Sequence, residues 1–143
     1  MGKKGISNKM EEGDNITPKG CFSLKTVFFR KDRMRYLKTK IQKIHIKKNM
    51  GWCDDSSSKY YNKLIRFPFN KSAEKLHQRN NLYDAIIVID FNMKPVIKNK
   101  GSAIFIHIAN KKYNTTKGCI AISKKDMRHL LRSLGKKNKI TIF

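Results

Sequence analysis

Acidic residues are scarce in this chain: 10 Asp plus Glu stand against 33 Lys plus Arg, a formal net charge of +23. A field of that sign draws polyanions, and nucleic acid is the first partner it suggests. The basic residues are nevertheless spread along the whole chain, so a lysine-biased surface explains the charge equally well. Paired zinc-ligand motifs and an RNP-type aromatic strand are both missing, and no specific nucleic-acid contact is expected. Long apolar runs are missing too. No segment approaches the roughly 18 residues that a membrane span requires, so none is expected. Cysteine is limited to Cys21, Cys53 and Cys119, an odd count that excludes a fully paired disulfide framework. No two of them sit at metal-ligand spacing, and His45, His77, His107 and His129 are scattered, so neither a metal nor another cofactor is expected. The opening Met1-Gly2-Lys3-Lys4-Gly5 has basic residues but no apolar core behind them and does not read as a signal peptide. Taken alone, that pattern suggests the cytoplasm.

What is present suffices for one domain spanning residues 1–143, with 39% hydrophobic residues to build its core. Turn formers punctuate Glu12 to Gly20, and Cys21 to Phe29 then reads as a strand that places Cys21 in the core. Lys38 to Lys48 alternates, with Ile41, Ile44 and Ile46 among basic residues, as a half-exposed strand does. Gly51 to Ser58 reads as a polar loop around the only tryptophan, Trp52, and Ser72 to Leu76 as the opening of a short helix. Ala85 to Asp90 and Ala103 to Ala109 are buried-type strands, Ile120 to Ile122 a short one, and Lys139 to Phe143 a last one. Between these, Ser123 and Asp126 form a capping-box pattern. Met127, Leu130, Leu131 and Leu134 follow at helical spacing as a packing stripe, with Gly135 as the stop. The expected fold is mainly β, a curved sheet or sandwich with this C-terminal helix packed on it.

Chemistry concentrates in Thr116-Lys117-Gly118-Cys119, which places a thiol on a tight turn, and in His107, twelve positions upstream on an apolar strand. A thiolate is the attacking species, while a free thiol titrates near a pKa of about 8.5. A cysteine nucleophile therefore needs a neighbouring base. One strand–loop–strand unit would bring His107 to Cys119, and a lowered thiol pKa is expected if it does. The strand ending in His107 and the one beginning at Ile120 are expected to be neighbours, because an eleven-residue connection, positions 108–118, keeps its ends close.

These residues resemble the L,D-transpeptidase catalytic domain, the YkuD-type family. The resemblance lies in His107, in the Thr116-Lys117-Gly118-Cys119-Ile120 turn and in the helix after it. It is closer to a branch with a Gly-Trp-Cys-Asp-Asp segment (Gly51 to Asp55), a Tyr-Asn pair (Tyr61-Asn62) and a Gly-Ser-Ala-Ile-Phe-x-His strand (Gly101 to His107). The opening Glu12-Gly13-Asp14 and Thr17-Pro18-x-Gly20-x-Phe22 is similar as well. The resemblance implies a bacterial acyltransferase of the cell envelope that acts on peptidoglycan stem peptides. Cys119 would be the nucleophile, forming an acyl-enzyme thioester, and His107 its base. The backbone N–H groups of Gly118 and Cys119 would hold the oxyanion, and the Ile108 carbonyl would orient the imidazole. Thr116 would serve the turn or the substrate. Trp52, Asp54, Asp55 and Ser102 are candidates for substrate binding, the two aspartates as readers of a diaminopimelate ammonium. A capped surface loop is the plain alternative for the segment around Trp52.

Lys117 and Ala121 stand where many family members carry histidine and arginine, and the interval from His107 to Cys119 is short, which implies a reduced substrate loop. Family members also tend to have a further strand before the segment matching Lys3 to Ile6, which raises the question of a shortened N-terminus. Cys53 reads as a loop thiol, and His45, His77 and His129 as exposed. Electrostatic contact with anionic wall polymers is compatible with the charge. Two alternatives remain: a basic nucleic-acid-binding protein with an incidental cysteine, or a wall-binding relic of the same fold without activity.

Overall fold

In the structure, a computed structural model describing residues 1–135 and 137–143, strands dominate and a single α-helix lies near the C-terminus. The elements in chain order are β1 (Ile6–Ser7), β2 (Thr17–Pro18), β3 (Gly20–Phe29), β4 (Gln42–His45), β5 (Met50–Cys53), β6 (Leu64–Arg66) and β7 (Ala73–Lys75). They continue with β8 (Ala85–Ile89), β9 (Phe105–Ile108), β10 (Ile120–Ile122), α1 (Lys124–Ser133) and β11 (Lys139–Ile142).

The main sheet runs β10-β9-β8-β3-β11, with β4 also paired to β3. Strand β3 is long enough to serve two neighbours along one edge. Gly20 to Ser23 pair with β11, Thr26 to Phe29 pair with β4, and the register against β8 shifts between Leu24 and Val27. Such an irregularity bends a strand and increases its twist. Strand β8 is antiparallel to both β3 and β9, whereas β10 is parallel to β9.

Both faces of this sheet are covered, which explains why β8 and β9 read as continuous apolar runs rather than alternating ones. Alternate residues enter different cores. Leu24, Val27, Ile87, Ile89, Ile106 and Ile108 pack with Met127, Leu131 and Leu134 of the helix segment. Phe28, Ile86, Val88 and Phe105 pack on the other side with Met50, Trp52 and Leu76 of the three-stranded sheet β6-β5-β7 and its flank. The result is a sandwich with α1 on its outer face.

Local chemistry explains the helix. Ser123 caps it, its hydroxyl accepting from the Asp126 amide at 3.0 Å, and Asp126 favours the positive end of the helix dipole. The helix ends at Leu134, which takes extended backbone (φ −67°, ψ 127°), one residue before the Gly135 expected to stop it. Buried Asp84 braces the start of α1, taking Lys124 at 3.1 Å and Arg33 at 3.0 Å.

Three expectations are corrected. Residues 73–75 form strand β7, not a helix opening, because they pair antiparallel with β5 (Trp52 opposite Glu74) and a sheet partner outweighs weak helix propensity over so short a run. Trp52 and Cys53 lie in buried strand β5 rather than in a polar loop; the loop begins at Asp54. Cys21 is exposed rather than in the core, since the pleat of β3 turns it outward.

Leu131, 0% exposed between helix and sheet, should cost roughly 2–5 kcal/mol when replaced by alanine. Ser123→Ala should cost about 1 kcal/mol. Urea unfolding of both variants checks the order and the size of the difference.

Candidate active site

The parallel pairing of β9 with β10 builds the site. Ile106, His107 and Ile108 face Ile120, Ala121 and Ile122 in register. Cys119 precedes Ile120 and shares a strand face with Ala121, so its side chain projects on the His107 side of the sheet. Both line one cleft of about 410 Å³, together with Glu12, Asp54, Glu74, Tyr83 and Ser102.

The turn that presents Cys119 is tied at several points. Thr116 accepts a hydrogen bond from the Gly118 amide (3.2 Å) and donates its hydroxyl to the Cys119 carbonyl (2.6 Å). Its backbone is clamped to the N-terminal segment, Lys3 N–H donating to Thr116 O at 2.9 Å and Thr116 N–H to Met1 O at 3.0 Å. Gly118 has φ +138°, and a Cβ there would stand 2.9 Å from the Ile16 carbonyl oxygen. Only glycine meets both conditions without strain. Thr116 thus holds the turn through its own hydroxyl.

The sulfur lies deep although the residue as a whole is partly exposed. Its S–H donates to the Ala103 carbonyl (3.2 Å), and the Phe105 amide points at it from 3.4 Å. Ala103 is held from behind by Asn62, whose Oδ1 accepts from the Ala103 amide (3.1 Å) and from Trp52 Nε1 (2.9 Å). Asn62 Nδ2 donates to the carbonyls of Phe91 and Asn92. Trp52 therefore does not line the cleft. It stacks edge-on against Phe105 beneath the site and steadies Asn62. Tyr61, next to Asn62, accepts from the Gly101 amide and donates to Glu12.

His107 is buried, and its Nδ1 lies 2.9 Å from the Ile108 carbonyl. A carbonyl only accepts, so the proton of the neutral ring sits on Nδ1 and Nε2 keeps its lone pair. Burial lowers the imidazole pKa, partly countered by the bond to Ile108. Burial also pushes the Cys119 thiol up, with the charge of Glu74 adding to it, to about 12. The depressed thiol pKa expected from the sequence is thus not met: burial favours a neutral thiol beside a neutral imidazole.

Of the other candidates, Asp54 lines the cleft, its carboxylate fixed by the Ser72 hydroxyl at 2.6 Å. Asp55 does not line it; its carboxylate caps the Ser57 amide and hydroxyl, which lowers its pKa. Ser102 is buried on the cleft wall, and its hydroxyl has no hydrogen-bond partner. Glu74 and Tyr83 were missed by the sequence reading. Tyr83 donates to Glu74 and sets its ring edge-on to His107, with centroids 5.4 Å apart. Reading 72–76 as a helix hid Glu74; alternation along a short strand was the signal that could have found it. Among the described residues no three His, Cys, Asp or Glu converge as metal ligands.

A mainly β sandwich thus holds a thiol, just ahead of β10, and an imidazole, on the adjoining parallel strand β9, in one cleft. The family model of the L,D-transpeptidase catalytic domain (YkuD) matches residues 1–142, and the chain belongs to that family. The family acts on peptidoglycan and is associated with the cell wall. No curated protein and no solved structure matches the chain. No helix among the described residues is long and apolar enough to cross a membrane.

Because the thiol pKa is high, alkylation of Cys119 by iodoacetamide in the free protein should rise about tenfold per pH unit from pH 7 to 9. Mass-spectrometric rates at each pH check this. A plateau near pH 6 to 7 would reveal a preformed thiolate–imidazolium pair instead.

Proposed function

We propose that residues 1–143 act as a cysteine-dependent peptidoglycan L,D-transpeptidase. The observation that carries this reading is the joint placement of Cys119 and His107 in one cleft, with His107 Nδ1 anchored on Ile108. Cys119 Sγ attacks the carbonyl of the amide between the L-centre and the D-centre of a stem peptide. His107 Nε2 takes the thiol proton as the C–S bond forms, so no free thiolate accumulates. The same proton passes to the departing amine of the D-residue, and a thioester remains on Cys119. An incoming amine, deprotonated by His107, then attacks the thioester and restores the thiol, forming a cross-link. Water in place of the amine makes the reaction a carboxypeptidase.

The backbone edge of Gly118 and Cys119 is the candidate oxyanion site. The Gly118 amide bond to Thr116 is long at 3.2 Å, and such a donor is readily shared with a developing charge. A peptidoglycan substrate calls for work at the cell envelope, where a charge of +23 would favour anionic wall polymers.

Incubation with a labelled tetrapeptide or a carbapenem should leave a mass adduct on Cys119, and Cys119→Ser should abolish it. His107→Ala should keep the fold by circular dichroism and lower turnover by about a hundredfold or more. Absence of any adduct, with salt-sensitive polyanion binding indifferent to loss of Cys119, would return the protein to the nucleic-acid-binding reading.

A further inference from the structure

Three of the ten acidic residues of this basic chain form ion pairs, and three others line the cleft. Asp14, Asp32 and Asp84 are paired with lysine or arginine. The three carboxylates of the cleft are not. Glu74 is held by the Tyr83 hydroxyl, Asp54 by the Ser72 hydroxyl and Glu12 by the Tyr61 hydroxyl. A hydroxyl orients a carboxylate without neutralising it, and each of the three keeps a second oxygen. In a protein with 33 Lys plus Arg, three carboxylates around one cleft have no ion-pair partner among the described residues. Lys9, whose buried ammonium borders the cleft, is committed to Asp14, and Lys117 acts on Glu74 only at a distance from the exposed rim.

A second observation points the same way. Ser102 is 5% exposed and lines the cleft, and its hydroxyl is the one buried side-chain polar atom without a partner among the described residues. The Tyr61 hydroxyl is engaged with Glu12 and the Gly101 amide, and Ser102 approaches it closely enough to act on its pKa but without hydrogen-bond geometry. A buried hydroxyl left in this way carries a penalty that a ligand donor would remove.

We propose that Glu74 is both the specificity-determining and the positioning residue of this cleft. It takes a primary ammonium group that the substrate carries close to the scissile amide, and that ammonium offsets the negative charge Glu74 holds in the cleft it shares with Cys119. Asp54 and Glu12 share the cation, and Ser102 Oγ accepts one of its N–H bonds. The proposal rests on the transpeptidase reading, since it supplies the feature that a stem peptide must present. The electrostatics agree with it. Burial raises the pKa of Glu74 itself, with Asp54 and Glu12 adding to the effect and the Tyr83 hydrogen bond and the Lys117 charge opposing it. After burial, the Glu74 charge is the largest influence opposing a Cys119 thiolate. A neutral amide surrogate for the ammonium would leave that opposition in place, so a substrate without the cation would be bound weakly and attacked slowly.

The test uses alkylating reagents that need no turnover: 2-bromoethylammonium, which is cationic, and iodoacetamide, which is neutral. Rates at Cys119 are measured by peptide mapping at fixed pH, with exposed Cys21 as internal reference. In the wild-type protein the cationic-to-neutral rate ratio should be higher at Cys119 than at Cys21. Glu74→Gln should lower that ratio by about tenfold, the scale of one charge contact in a partly buried site. The same variant should raise the iodoacetamide rate, since the opposing charge is gone. These opposite shifts separate the proposal from a structural role, which would lower both rates together and overturn it. An unchanged ratio in Glu74→Gln overturns it as well, and so does a wild-type ratio no higher at Cys119 than at Cys21, whatever the variant does. A tetrapeptide with its side-chain amine acetylated should acylate Cys119 about tenfold more slowly than the free amine. If neither peptide acylates Cys119, the transpeptidase reading fails while the alkylation result stands.

Discussion

Parallel pairing of Ile106–Ile108 with Ile120–Ile122 is the contact on which the rest of the site depends. Parallel strands cannot be joined by a tight hairpin, so the chain must travel out and return before β10 starts. It returns through Gly118, whose backbone geometry excludes other residues. Because β10 enters in register, the residue just before it carries its side chain on the His107 side. The N-terminal segment closes the arrangement from outside through Thr116. Antiparallel β8 and β3 then fix β9 from its other edge.

Dryness governs the chemistry of the cleft. Burial disfavours charge on both the thiol and the imidazole, so the resting pair is neutral. A neutral thiol resists stray oxidation, because the thiolate is the species that reacts. Reactivity then depends on what enters the cleft, and the carboxylates held by hydroxyls are the groups in position to sense it.

The segments around Trp52 and Tyr61-Asn62 lie far from Cys119 in sequence, yet they shape its surroundings. Asn62 gathers Trp52 Nε1, the Ala103 amide and two carbonyls of the turn at Phe91 and Asn92. Through Ala103 that network reaches the sulfur. Loss of any member would move the thiol without touching it.

Strong local patterns were legible in the sequence. The apolar runs of β8 and β9, the capped stripe of α1 and the Gly118-Cys119 turn each declare themselves within a few residues, because pleat, helical period and φ restrictions act locally. So does the adjacency of the His107 strand and the strand after Cys119, which brings the imidazole and the thiol into one cleft. Only tertiary structure decided the remainder. Strand β7 exists because β5 lies beside it, and Cys21 faces outward because the register of β3 against β11 fixes which face its pleat gives that residue. Asp54 enters the cleft while its neighbour Asp55 caps a turn, a choice set by one residue of chain direction. The thiol pKa rises rather than falls because burial and the Glu74 charge act through space, and neither is written in the spacing of residues along the chain.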